Sequence, residues 1–196
     1  MSLTALSFYM FTTYFATYLQ VAGGLSRATA LLVSLIALLF AAAICPLAGL
    51  YSDRVGRRAT VVTACVLLMV AVYPSFLMAS SGGFAASIVG VMLLAIGAVL
   101  CGVVTAALLS ETFPTRTRYT ASAITYNMAY TLFGGTAPLV ATWLISTTGS
   151  NLSPAFYLMA VALLALAGGL ALPETSRISL HDVATPENAA QAVAAV

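Results

Sequence analysis

Residues 29–58 read TALLVSLIALLFAAAICPLAGLYSDRVGRR, with no charged side chain before Asp53 and then three arginines, Arg54, Arg57 and Arg58. A helix rises 1.5 Å per residue, so an uncharged run of about 20 residues matches the roughly 30 Å hydrocarbon core of a bilayer. The stretch therefore reads as a transmembrane helix that ends where its charges begin. The pattern recurs along the chain, giving apolar spans at about 3–22, 29–50, 59–79, 84–109, 119–146 and 154–172. The arginines fall in alternate gaps. Arg54, Arg57 and Arg58 stand in the second, Arg116 and Arg118 in the fourth and Arg177 in the tail, while the other side has only Arg27. Loops rich in Lys and Arg stay in the cytoplasm. Six spans with both termini and the second and fourth loops cytoplasmic follow from that rule.

Composition points the same way. Hydrophobic residues make up 62% of the 196 and charged residues 6%, against about 25% charge in a soluble domain. The stretches lack the alternation of a membrane strand, so the fold expected is an all-α integral membrane bundle of six helices over residues 1–172, with residues 173–196 as a cytoplasmic tail. The net charge of +2 reflects loop orientation and implies no nucleic-acid partner, because no basic stripe lies beside exposed aromatics. Cys45, Cys65 and Cys101 fall within spans without a CxxC or Cys/His cluster, so they read as small packing residues and no metal is expected. His181, the only histidine, stands in the tail as a solvated residue. No Asp, Glu, Lys, Arg or His lies within any span. Intramembrane proteolysis or metal-dependent chemistry would need such groups, so no enzyme is expected. The apolar run begins almost at Met1 with no preceding positive charge, which is unlike a cleavable signal peptide. Lysine is absent, alanine and glycine are abundant, and the composition suggests a bacterial source and a bacterial plasma membrane.

Polar residues within the spans are unevenly placed. Spans three and six are nearly all aliphatic and can face lipid. Span one carries Ser7, Phe11, Tyr14 and Tyr18 on one helical face, and span five carries Ser122, Tyr126 and Tyr130 with Asn127 and Thr131 adjoining. In hydrocarbon such groups seek partners or water, so both faces are expected to point inward. Tyr14, Tyr18, Tyr126, Asn127 and Tyr130 are the candidates for a small-molecule path. Gly134, Gly135 and Pro138 weaken span five, as a bend or as a site of close packing. Gly90, Gly97 and Gly102 in span four read as close-packing positions.

The loop residues carry the more specific signals. Gly49-Leu50-Tyr51-Ser52-Asp53-Arg54-Val55-Gly56-Arg57-Arg58 fits a G-x-x-x-D-R-x-G-R-R pattern. In it, Gly49 would admit a neighbouring helix, Gly56 a tight turn, and Asp53 would suit a helix N-terminus or an arginine. Glu111-Thr112-Phe113-Pro114-Thr115-Arg116-Thr117-Arg118 fills the fourth loop, and Pro173-Glu174-Thr175-Ser176-Arg177 follows the last span. With the aromatic stretches of spans one and five, these residues resemble the major facilitator superfamily, and within it the metabolite:proton symporters, over residues 3–178. Span four lacks the arginine expected in the N-terminal half, and the order of the motifs is that of the C-terminal half.

The resemblance implies a six-helix half of a secondary transporter, driven by a proton gradient with no other cofactor. Such a transporter would carry a small metabolite such as proline, betaine or an organic acid by alternating access. A second, N-terminal six-helix bundle would be the partner within the lipid bilayer, the chain being a fragment, a truncation or one member of an assembly. Asp53, Arg57, Arg58, Glu111, Arg118 and Glu174 would form a cytoplasmic gate network. A non-transporting structural or regulatory subunit and a sugar-porter-like facilitator stand as alternatives.

Overall fold

The computed structural model describes residues 1–113 and 116–171. Glu174, Arg177, His181 and the tail, as well as Pro114 and Thr115 of the fourth loop, lie outside them. The described residues form helices and short connections, with no strand among them. The first run is helical from Ser2 to Val21 but is not one helix: α1 (Ser2–Tyr9), a π-helical turn π1 (Met10–Tyr14) and α2 (Phe15–Val21) follow each other without a break. Next come α3 (Arg27–Val55), α4 (Arg57–Ser80) and α5 (Phe84–Thr112). The fifth run is divided into α6 (Arg118–Ala129), a second π turn π2 (Tyr130–Gly134) and α7 (Ala137–Thr148), and α8 (Ser153–Ala171) completes it.

Five of these runs are long and apolar enough to cross a membrane: α3, α4, α5, α6 to α7, and α8. The Ser2–Val21 run is the least apolar, since Thr4, Tyr9, Thr12, Thr13, Tyr14, Thr17 and Tyr18 dilute its hydrocarbon.

Helix ends differ from the loops expected of the sequence. α3 passes Leu50 and continues to Val55, so the connection to α4 is Gly56 alone, at φ +100° and ψ 162°. Only glycine takes that conformation without strain. Asp53 consequently sits in the last turn of α3 and not at a helix N-terminus. Gly49 has open space where a Cβ would project, with no neighbour within 4 Å among the described residues. At the other end of α3, Ser26 caps the helix by accepting from the Thr29 amide at 3.2 Å.

α5 is the axis of the bundle. It packs along α4 and α3, while α4 also lies along α8 and α1 crosses π2. In the most apolar part of α5, 56% of residues are buried, against 22% in α3 and in the α6 to α7 run. Two of its glycines explain the close fit. A Cβ on Gly90 would stand 2.7 Å from the Ser75 carbonyl oxygen, and one on Gly97 would stand 2.6 Å from Leu68 Cγ. Gly102 faces open space instead. Cys65 and Cys101 are buried, Cys45 is exposed, and all three thiols are free. Inside the bundle Thr4 and Thr105 share a hydrogen bond of 2.7 Å, which satisfies two hydroxyls that lipid could not. α3 and the α6 to α7 run expose long apolar rows, including Leu31, Leu35, Leu39, Leu132, Leu139 and Trp143.

Candidate functional site

Two clusters stand out, one of charges at an end of the bundle and one of aromatic rings along its side. The chain reverses at Gly56, which brings the C-terminal turns of α3 and α5 to the first turn of α4. Arg57 sits between them. Its Nη1 donates to Asp53 Oδ1 at 2.7 Å and to Ser52 Oγ at 2.8 Å, and its Nε donates to Glu111 Oε1 at 3.0 Å. The Arg57 and Glu111 side chains are only 15% and 14% exposed, whereas Asp53 is 65% exposed. A cation placed against two helix C-termini also complements their partial negative charge.

Arg58 reaches α8, donating from Nη2 to the Leu170 carbonyl at 2.7 Å. Arg118 donates from Nε to the Phe113 carbonyl at 3.1 Å and so braces its own loop. Of the expected network, then, Asp53, Arg57 and Glu111 are joined directly. Arg58 ties α4 to α8, Arg118 serves the connection from α5 to α6, and Glu174 lies outside the described residues.

The aromatic cluster is built on the two π turns. A π turn inserts one residue into a helix and redirects the side chains on either side of it, and such turns are frequent at functional sites. Tyr126 and Tyr130, one helical turn apart, stack with centroids 4.0 Å apart and planes at 19°. Tyr130 opens π2, and Tyr9 is the last residue before π1. Phe8 and Tyr9 meet Tyr130 at centroid distances of 6.2 Å each, and each other at 6.1 Å. Gly134 closes π2 directly under the Tyr9 ring.

Span five does not point into the bundle as its polarity led one to expect. Tyr126 is 40% exposed, and Phe8, across Tyr130 from it, 48%. Asn127 is exposed and donates to its own helix at the Ala123 carbonyl, 2.8 Å away. The stripe lies at the surface of the helical unit, with Tyr126 and Asn127 exposed and Tyr130 half-buried. Polarity alone does not separate a face buried inside the bundle from one at its surface.

Tyr14 and Tyr18 go elsewhere. They are 4% and 2% exposed, in the packed interior. The Tyr18 hydroxyl donates to the Asn151 carbonyl at 3.0 Å, and its ring meets Phe76 at 4.9 Å and Phe15 at 5.7 Å. Tyr14 keeps company with Tyr18 at 6.0 Å. This pair fastens span one to α4 and to the connection before α8. Phe8 and Tyr9, absent from the sequence-based candidates, take their place beside Tyr126 and Tyr130. The signal was the Phe8-Tyr9 pair on the helical face next to the counted stripe.

The family model of the Major Facilitator Superfamily matches residues 1–194. An ectoine/proline transporter of Corynebacterium glutamicum is 33% identical over 169 residues, 86% of this chain and 34% of the relative. A proline/betaine transporter of Escherichia coli is 33% identical over 183 residues, 93% of this chain and 36% of the relative. A glycine betaine/proline/ectoine/pipecolic acid transporter of Dickeya dadantii matches to the same extent, 33% over 183 residues. The chain thus spans about a third of the length of the curated relatives it matches.

Proposed function

The chain belongs to the Major Facilitator Superfamily, and from that membership we propose that it forms one six-helix bundle of a secondary transporter for small zwitterions of the proline and betaine kind. A second bundle covers the surface at Tyr126 and Asn127, and the solute passes between the two as they rock about a site near the bilayer midplane. The observation that carries this reading is the Phe8, Tyr9, Tyr126 and Tyr130 group with Asn127, an aromatic and polar patch on a run that otherwise exposes apolar side chains such as Ile124, Met128 and Leu132. Such a patch is costly against lipid and useful against a solute.

Aromatic faces attract an ammonium head by cation–π interaction, about 1–2 kcal/mol when water is excluded. The relatives named for proline, betaine and ectoine support that class of solute. No Asp, Glu, Lys, Arg or His lies along the apolar spans. The partner of the solute carboxylate and the carrier of the coupling proton are therefore assigned to the second bundle. The arginine-rich end faces the cytoplasm by the positive-inside rule, both termini with it. There the Arg57, Asp53 and Glu111 group holds one of the two transport states and opens in the other.

The test is uptake of radiolabelled proline and glycine betaine into proteoliposomes holding the intact protein, with and without an inward proton gradient. Uptake driven by the gradient is expected, and Tyr126→Ala and Tyr130→Ala should each lower it about 10-fold, the equivalent of about 1.4 kcal/mol of lost cation–π attraction. Unchanged KM and maximal rate in both variants would remove the two tyrosines from the path.

A further inference from the structure

We propose that Gly134 is a positioning residue of the solute face: the notch left by its missing Cβ seats the Tyr9 ring, and this seat sets how large an ammonium head fits beside the stacked tyrosines. The inference rests on the transport reading above and adds a determinant of selectivity to it.

The geometry is specific to this glycine. A Cβ at Gly134 would stand 2.6 Å from Tyr9 Cδ2 and 2.8 Å from Tyr9 Cε2, closer than carbon atoms tolerate, and 3.4 Å from the Ala5 carbonyl oxygen. The tight neighbours of Gly90, Gly97 and Gly169 are Ser75, Leu68 and Val61, all remote from the aromatic group. Among the glycines whose neighbours are described, only Gly134 has a ring of that group as the close neighbour. The backbone at Gly134 is fixed by π2, whose carbonyl at Tyr130 accepts from the Gly135 amide at 2.8 Å. The Tyr9 side chain, half-buried and turning about two torsions, is the part that yields. Displaced from Gly134, its ring presses on the Phe8 and Tyr130 rings that it already touches, at centroid distances of 6.1 and 6.2 Å. That rearrangement alters the aromatic face on which an ammonium head would lie. A trimethylated head loses more by such a move than the secondary ammonium of proline, because each methyl needs its own room in a packed pocket.

The experiment compares the intact protein with Gly134→Ala, Tyr9→Ala, the double variant, and Gly102→Ala as a control at a glycine with open space around it. The ratio of KM for glycine betaine to KM for proline should rise about 10-fold in Gly134→Ala, the scale on which one methylene discriminates, with kcat little changed. In the Tyr9→Ala background, Gly134→Ala should alter the ratio no further. A ratio unmoved by Gly134→Ala, or moved equally with and without the Tyr9 ring, would overturn the proposal.

A second measurement needs no solute. In protein labelled with 3-fluorotyrosine, the fluorine signal lost in Tyr9→Phe should shift in Gly134→Ala and stay in place in Gly102→Ala. A stationary signal in Gly134→Ala would overturn the seat itself. Absence of uptake by the unaltered protein would overturn the transport reading and the selectivity role with it, while the fluorine signal still decides whether Gly134 seats Tyr9.

Discussion

Arg57 shows how exposure ranks charges that the sequence presents as equals. It bonds Asp53 and Glu111 at similar distances, 2.7 and 3.0 Å, yet Asp53 is 65% exposed and Glu111 14%. Water and salt screen the first pair, which contributes about 0–1 kcal/mol. The second is sheltered, and removing its charge leaves a guanidinium poorly satisfied at about 1–3 kcal/mol. Thermal unfolding in detergent should therefore find Glu111→Gln clearly less stable and Asp53→Asn nearly unchanged. The Asp53 contribution should also vanish in high salt. Equal losses in the two variants would show that the ranking is wrong. From the sequence, Asp53, Arg57 and Glu111 were legible as neighbours because they sit at one end of the spans. The ranking was not, because it depends on α5 running on to Thr112 and laying Glu111 against Arg57.

At the scale of elements, the six helical runs were legible from length and charge, five of them long and apolar enough to cross a membrane, but their ends were not. Charged residues in the signature looked like loop, yet α3 carries Ser52, Asp53 and Arg54 in regular helix, because a helix end beside aqueous solvent accepts charge freely. Only Gly56 breaks the run, at φ +100°. Gly56→Ala should accordingly cost about 1–3 kcal/mol through backbone strain, read as a fall in the thermal midpoint. No change at that position would mean that the turn takes another conformation. The π turns had no sequence signal of their own. Gly134, Gly135 and Pro138 marked the weakness in span five, and α7 does begin at Ala137 with Pro138 in its first turn. Nothing comparable marked π1 at Met10–Tyr14. The redirected faces around these turns explain why Phe8 and Tyr9, and not Tyr14 and Tyr18, meet Tyr130.

At the scale of the whole molecule, the helices pack about α5, while Tyr126, Asn127 and Phe8 are exposed at the surface. Periodicity told which helix faces avoid lipid, and it could not tell which of them another bundle would cover. That is why span one, expected inward, is inward, whereas span five lies at the surface. We propose that this surface lines the solute path. The most direct test is a cysteine at Asn127, introduced into the intact protein with the exposed Cys45 changed to serine. A membrane-impermeant maleimide should label Asn127→Cys, and saturating proline or glycine betaine should slow that labelling. A cysteine that reacts from neither side of the membrane, or at the same rate with and without solute, would contradict the account.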